Sequence, residues 1–449
     1  MKHEIGRRCI KRMRIKIADE PGALGAFTTR LGELGIRFGE ITTASVGRSS
    51  RVRDVDVIAP DEATFDRVCD DVRAMDQVDL LGVTDVVRER HLGGKIATRS
   101  RVELRNLDDL GIVYTPGVAS MCLQIADDPE LAHRYTAIAN TVAIVTNGTA
   151  ILGLGDIGPV AGMPVMEGKA ALFDLLAGVS GVPILIDSKD PDVIVDAVTA
   201  IAPTFGAIKL EDIRAPECFE IEERLDAALE VPVLHDDQHG TAVVVLAALL
   251  NIARARHLNL KRSRVGIIGL GAAGSGIQRL LAAYGVRTIL GVDINPRMVE
   301  RFEGLGGRPT DLAGVMAEAD MVIATTGVPG LIAPEAVRPK QVILALSNPD
   351  PEIDPDAALA AGAAFAADGK AVNNALAFPG LFRGALDAHA TRINDAMKIA
   401  AAREIAARAP EGELTPPILD RELHRAVSAA VREAALTSGD VRFSRRLDV

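Results

Sequence analysis

Between residues 264 and 293 the chain carries a pattern that few folds can hold. Arg264-Val-Gly-Ile-Ile268 reads as a buried strand, Gly269-Leu-Gly-Ala-Ala-Gly274 follows at once, and a helical pattern then runs through Leu281. Thr288-Ile-Leu-Gly-Val292 is a second strand and ends on Asp293. A G-x-G-x-x-G alone says little. Set between a strand and a helix, with an acid about twenty residues on, it marks a dinucleotide-binding βαβ unit. Gly269, Gly271 and Gly274, with Ala272 and Ala273 between them, let the backbone approach a pyrophosphate at a helix N-terminus. Free N–H groups and the helix dipole favour negative charge there. Asp293 can accept from both ribose hydroxyls and would repel a 2′-phosphate, which selects NAD over NADP. Met321-Val-Ile-Ala324 and Val342-Ile-Leu-Ala345 continue as strands, each leading into a polar loop, Thr325-Thr-Gly327 and Ser347-Asn-Pro349. Loops at the carboxyl ends of parallel strands face the ligand crevice, so Thr325 and Asn348 join the candidate cofactor residues.

A chain of 449 residues exceeds one ordinary core and predicts two or three domains. Trp is absent and small apolar residues dominate, as suits helices packed closely on parallel strands. The net charge of −11 argues against a general nucleic-acid surface. One basic cluster, Arg7, Arg8, Lys11, Arg12, Arg14 and Lys16, reads as a solvated arm before the first strand. It lacks the apolar segment of a targeting signal. Cys9, Cys69, Cys122 and Cys218 show no paired spacing, so neither disulfides nor a thiolate zinc site is expected. No apolar run looks long and uninterrupted enough to span a bilayer. The expectation is a soluble, cytoplasmic protein with no membrane partner.

A second polar concentration is Val233-Leu-His-Asp-Asp-Gln-His-Gly-Thr-Ala242, read with Glu211-Asp212. It predicts a strand, a polar turn, and a buried helix starting near Gly240-Thr241. Glu211, Asp212, Asp236 and Asp237 then gather four carboxylates at strand ends. A hard divalent cation, Mg²⁺ or Mn²⁺, relieves such mutual repulsion. The residues alone leave this level with a plainer reading, in which these acids only cap helices. His235 and His239, four apart, suggest a zinc pair, but the expected turn at Gly240 weakens that idea.

Residues 13 to about 90 predict a small βαββαβ unit. With its turn Asp19-Glu-Pro-Gly-Ala-Leu-Gly25 after the first strand, this stretch resembles the ACT regulatory domain. That resemblance implies a small-molecule effector, commonly an amino acid, near Asp19, Pro21, Gly22, Ala23, Leu24 and Gly25. A purely structural or dimerising unit of the same order is the competing reading. Beyond a linker at His91-Leu-Gly-Gly-Lys95, Tyr114 sits on a loop before Pro116, and Val142-Ala-Ile-Val145 is a buried strand. Ile151-Leu-Gly-Leu-Gly-Asp-Ile-Gly158 reads as substrate-site wall, because Pro159, Gly162 and Pro164 should prevent a long helix there. Lys169 leads a helix over 170–176, and its default reading is an exposed partner of Glu167. Asn373 and Asn374 read as turn residues before a C-terminal helical region.

Taken in order, Tyr114-Thr-Pro-Gly-Val, Ile151-Leu-Gly-Leu-Gly-Asp, Met163-Pro-Val-Met-Glu-Gly-Lys, Leu210-Glu-Asp-Ile, His235-Asp-Asp-Gln-His-Gly-Thr, Gly269-Leu-Gly-Ala-Ala-Gly, Ser347-Asn-Pro, Asn373-Asn and Phe378-Pro-Gly strongly resemble the bacterial-type malic enzymes from about residue 92 to 430. The resemblance implies an α/β chain in four parts. An ACT-like domain covers 1–90, a substrate and metal domain 91–239, a Rossmann-type NAD domain 240–373, and a helical segment packing back on the substrate domain 374–449. It implies Mg²⁺ or Mn²⁺ on Glu211, Asp212 and Asp237, Lys169 as base supported by Asp236, and Tyr114 as acid. Asn348 and Asn374 would meet the substrate, malate, and a homodimer or larger homo-oligomer is expected. As a base, Lys169 would need burial and a nearby cation to bring it down from the usual lysine range. One departure stands out: Thr149-Ala150 occupies the turn where some members carry an arginine for the substrate carboxylate. Two other outcomes stay open, a malolactic reaction that retains NADH and a non-catalytic amino-acid sensor on the same scaffold.

Overall fold

The computed structural model describes residues 9–151 and 154–442, so Arg7 and Arg8 of the basic cluster, and Leu152 and Gly153 of the Gly-rich segment, lie outside the described residues. It divides into two compact units, residues 1–97 and 98–449.

The front unit runs β1 (Cys9–Ala18), α1 (Ala23–Glu33), β2 (Arg37–Val46), β3 (Ser50–Ala59), α2 (Glu62–Arg73), β4 (Val78–Asp85) and a short α3 (Val86–His91). Its antiparallel sheet has the order β2-β3-β1-β4. Alternation in β1 sends Met13, Ile15 and Ile17 onto Phe27, Leu31, Phe65 and Val68 of the two helices. Arg12 and Arg14 on the wet face of β1, and Lys11 on its helix-covered face, belong to the cluster expected as a free arm. Instead they are cross-strand partners: Arg12 pairs with Asp56, Arg14 with Asp54 and Lys11 with Asp85. Gly22 enters α1 at φ 93°, Ala23 is buried, and the Asp19 carboxylate accepts from Arg51 at 2.6 Å.

The second unit opens with α4 (Leu107–Val113), α5 (Gly117–Asp127) and α6 (Leu131–Tyr135). Then come β5 (Thr141–Thr146), α7 (Pro159–Ala177), β6 (Ser180–Leu185), α8 (Pro191–Ile201), β7 (Ala207–Leu210), α9 (Glu217–Ala228), β8 (Val233–His235) and α10 (Asp236–Ala255). These strands form a parallel sheet, β6-β5-β7-β8. The chain continues through β9 (Arg264–Ile268), α11 (Ala272–Tyr284), β10 (Thr288–Val292), α12 (Pro296–Gly304), β11 (Arg308–Pro309), α13 (Leu312–Glu318), β12 (Met321–Ala324), β13 (Val342–Ala345), α14 (Pro355–Ala360) and β14 (Phe365–Asp368). Here the parallel order β11-β10-β9-β12-β13-β14 is the doubly wound Rossmann arrangement, reversing direction between β9 and β12. Three helices close the chain. α15 (Phe378–Asp387) and α17 (Arg421–Ser438) pack back on α7, and α16 (Asp395–Arg408) lies on α10 and α11.

Three local expectations are corrected. The helix at Pro159 is long after all. Pro159 takes its first position, where no N–H is needed, and Pro164 in the second turn removes a single backbone bond. No turn separates β8 from α10: the helix starts at Asp236 with His235 as its N-cap residue, so Gly240 and the division expected at 239/240 lie inside it. Finally, among the described residues one helix is long and apolar enough to cross a membrane by length and composition. It is α10, and 78% of its apolar window is buried inside the protein, as befits a central core helix.

Candidate active site and metal centre

Glu211 and Asp212 follow β7 directly, and Asp236 and Asp237 follow β8, so neighbouring parallel strands deliver all four acids to one sheet edge. One oxygen each from Glu211, Asp212 and Asp237 lies within 4.8 Å of the others. That is a hard, all-oxygen donor set suited to Mg²⁺ or Mn²⁺. Asp212 adopts a left-handed φ of 53°, and its N–H donates to Asp237 Oδ2 at 3.0 Å, tying the two strand ends together. Thr149 and Ala150 serve this loop: Ala150 N–H donates to the Asp212 carbonyl and Thr149 Oγ1 accepts from Arg214 N–H.

The fourth acid does something else. Asp236 is fully buried, and its Oδ2 accepts from Lys169 Nζ at 2.8 Å and Lys209 Nζ at 2.9 Å. Burial pushes this carboxyl up, but the two ammonium groups outweigh it and hold Asp236 below the usual carboxylate range. Its Oδ1 has no hydrogen-bond partner among the described residues. Gly240, one helical turn on, leaves room for that oxygen. A Cβ there would lie 2.1 Å from Asp236 Oδ1 and 3.1 Å from Asn374 Cβ.

Lys169 is thus no exposed partner of Glu167. Only 12% of its side chain is exposed, and it also reaches Glu211 Oε1 at 2.9 Å and Asn374 Oδ1 at 3.2 Å. Asn374 therefore meets Lys169, while neighbouring Asn373 plays the turn part and caps Ala375 N–H. The zinc reading of the two histidines fails on direction. His239 turns to the buried Glu222, 3.1 Å away, and His235 precedes the helix rather than sharing a face with it. Tyr114 is not brought to this cluster. It ends α4 with 65% of its surface exposed, and no hydrogen bond joins its side chain to Lys169 or the carboxylates. Asn348 is also exposed, and among the described residues no hydrogen bond joins it to Lys169.

The dinucleotide loop has the expected form. Gly269 sits at φ 92°, Gly271 precedes α11, and a Cβ on Gly274 would lie 2.0 Å from the Gly269 carbonyl oxygen. Ala272 and Ala273 open the helix, whose first turn has no acid to neutralise its dipole. Asp293 Oδ2 accepts from Leu270 N–H at 2.6 Å, which ties the acid to the loop itself. Thr325 Oγ1 donates to the Gly269 carbonyl at 3.0 Å.

Four residues escaped the sequence reading. Lys209 had no signal beyond being a lysine inside an apolar strand. Glu222, on α9, accepts from His235 N–H, Gln238 and His239, and so fixes the β8–α10 junction. Burial acts to raise its carboxyl, but those partners hold it at about 2. Glu352 accepts from Thr326 N–H and Ser347 Oγ and binds the two Rossmann loops to each other. Gly276 on α11 meets α10, where a Cβ would lie 2.2 Å from the Gln238 carbonyl oxygen. The helix bearing the carboxylates and the helix opening the dinucleotide loop therefore pack backbone to backbone.

A sequence model of the malic enzyme N-terminal domain matches residues 94–226. Over 97% of its length the chain is 52% identical to NAD-dependent malic enzyme 1 of Bacillus subtilis strain 168, covering 99% of that protein. The chain belongs to the malic enzyme family. Residues 245–329 match the NAD-binding domain of D-isomer specific 2-hydroxyacid dehydrogenases. The NAD-dependent malic enzyme of Geobacillus stearothermophilus is 43% identical over 93% of both chains. Among solved structures, the malic enzyme of Pyrococcus horikoshii superposes with a TM-score of 0.75 at 38% identity, covering 80% of this chain and 93% of that one. The NAD-dependent malic enzyme of Thermotoga maritima gives 0.73 at 38% identity, over 78% of this chain and 99% of its own. Both malic enzymes therefore share the fold of most of this chain.

Proposed function

We propose that this chain oxidatively decarboxylates malate to pyruvate and CO₂ while reducing NAD, with Mg²⁺ or Mn²⁺ on Glu211, Asp212 and Asp237. It is an NAD-dependent malic enzyme. The observation that carries the residue assignment is Lys169, held on Asp236 at 2.8 Å and Glu211 at 2.9 Å beside the three-carboxylate cluster. A divalent cation there would polarise the C2 oxygen and so favour loss of the C4 carboxylate from C3 once C2 is a carbonyl, and bound NAD would supply the hydride acceptor for C2. Lys169, as the neutral amine, takes the C2 hydroxyl proton as the hydride departs. Asp236 steadies the ammonium so formed. Asn374, on the other side of Lys169, orients the amine and offers its amide N–H to the substrate. Asp293 receives the adenosine ribose, and the free N–H groups of Gly271, Ala272 and Ala273 receive the pyrophosphate. Tyr114 then gives a proton to C3, completing pyruvate. Purified enzyme with malate, NAD and Mn²⁺ should release NADH and pyruvate in equal amounts. Lactate without free NADH would instead establish the malolactic reaction, and no turnover with tight effector binding would establish a sensor.

The front unit supports a regulatory reading as an ACT-like domain. The turn at Asp19, Pro21, Gly22, Ala23, Leu24 and Gly25 is its effector segment. A rise in Tm with one of the amino acids would identify the ligand, whereas a flat response to all of them leaves the unit architectural. We also read the enzyme as a homodimer or larger homo-oligomer. Helices α4, α5 and α6 bury no residue of their own, and Leu107 and Ile112 are 82% and 74% exposed. Tyr114, 65% exposed just after α4, would then serve as the acid in the assembled enzyme. Light scattering that gives a monomer mass would reject this. Four free cysteines agree with a cytoplasmic setting.

A further inference from the structure

A cavity of about 450 Å³ lies at the far ends of α10 and α11, away from their catalytic ends. It is lined by Arg254, Asn259, Lys261, Tyr284 and Arg403, with an apolar floor that includes Leu250 and Ala406. No Asp or Glu lines it, although the chain as a whole carries a net charge of −11. The stretch Arg254-Ala-Arg-His-Leu-Asn-Leu-Lys-Arg-Ser-Arg264, which supplies much of the wall, likewise contains no carboxylate. The cations are held in place without being neutralised. Lys261 Nζ stands 5.0 Å and Arg403 Cζ 5.8 Å from the centre of the Tyr284 ring, and among the described residues Arg254 donates only to the Asn251 side-chain oxygen.

Cations at helix C-termini often do no more than complement the dipole, and α10, α11 and α16 all end near this cavity. Two facts weigh against that as the whole account. The last carbonyls of α10 already accept from the backbone N–H groups of Arg256 and Leu258, and those of α11 from Gly285 and Val286. Three helix ends bring about half a negative charge each. Three full side-chain cations exceed that sum, so the cavity stays positive.

We propose that this cavity binds a small organic phosphate. Two arginines and a lysine around a pocket of this size match a phosphorylated metabolite better than a single carboxylate, because the guanidinium fork pairs two phosphate oxygens at once. The apolar floor takes the organic part. The position also has a consequence, since α10 begins at the carboxylate cluster and α11 at the dinucleotide loop.

Isothermal titration of the full chain with inorganic pyrophosphate tests this, with NAD saturating to fill the dinucleotide loop and Mg²⁺ withheld to prevent chelation. One molecule should bind per chain. The double variant Lys261→Ala/Arg403→Ala should bind at least about tenfold more weakly. Its kcat with malate and Mn²⁺, measured without pyrophosphate, should match wild type, which shows that it folds. Equal binding by wild type and variant overturns the assignment, as does no binding up to about 10 mM. Citrate binding as tightly as pyrophosphate would overturn the choice of phosphate.

Discussion

Lys209 Nζ lies 2.9 Å from Asp236 Oδ2, the same oxygen that accepts from Lys169 at 2.8 Å, so one buried carboxylate oxygen serves two lysines. Lys209 also contacts Glu211 and sits over the Phe378 ring. Burial pushes its ammonium down to about 8, against the pull of Asp236. Replacing it leaves Asp236 and Glu211 with less compensation in a closed interior. Lys209→Met should therefore destabilise the enzyme by about 3–5 kcal/mol. Thermal unfolding and steady-state kinetics will read this as a lower Tm and a lower kcat. A variant with unchanged Tm and kcat would show the contact to be idle.

The three-carboxylate centre predicts a separation between metal and cofactor. Asp237→Ala should abolish turnover and weaken Mn²⁺ binding, while NAD still binds, because Asp293 and the loop after β9 do not depend on Asp237. Unchanged Mn²⁺ affinity by titration would reject these ligands.

Asp293→Ser should narrow the preference for NAD over NADP, since it removes the charge that repels a 2′-phosphate. It should also raise the KM for NAD, because the carboxylate that receives Leu270 N–H at 2.6 Å is lost with it. Wild-type enzyme preferring NADP would contradict the role given to Asp293.

How much of this was legible in the chain differs from residue to residue. The Rossmann half was readable because strand, glycines, helix and Asp293 act within thirty or so neighbouring positions. Lys169 was not, on periodicity alone. Its partners Glu211, Asp236 and Asn374 come from distant segments, and only the motif resemblance joined them. Gly240 misled for a related reason. Glycine usually marks a turn, but here it serves the close approach of Asp236 and Asn374 within a helix. Lys209 and Glu222 carry no local signal, since a buried ion becomes intelligible only with its partners. The first-strand cations failed in the same way, because Asp54 and Asp56 are neighbours across the sheet and not along the chain.

Lys169→Ala should separate the two halves of the reaction. Malate oxidation has a hydroxyl proton to remove, so its rate should fall about 10²–10⁴-fold. Added oxaloacetate has no such proton, and its Mn²⁺-dependent decarboxylation should persist. Tyr114→Phe should instead slow hydrogen exchange at the methyl group of pyruvate. A Lys169→Ala enzyme that oxidises malate normally at pH 7 would remove the lysine from the mechanism.

The Glu222 junction gives a pH-dependent prediction with a definite sign. Its carboxyl sits at about 2 in the folded enzyme against an ordinary value of 4.5; burial alone would raise it, and His239 and His235 bring it down. A group depressed on folding contributes stability above its unfolded value and loses it as pH falls toward the folded one. Burial also holds His239 below the ordinary imidazole range, so its charge supports Glu222 mainly on the acid side, and the contribution fades as pH falls from about 4.5 toward 2. Glu222→Gln removes the charge at every pH and leaves His239 without its anionic partner. The variant should unfold at a lower temperature than wild type at pH 7, and the two melting curves should begin to converge as the pH is brought to about 4 and below. A gap of constant size across that range would mean that Glu222 holds the β8–α10 junction by shape and neutral hydrogen bonds, not by its charge.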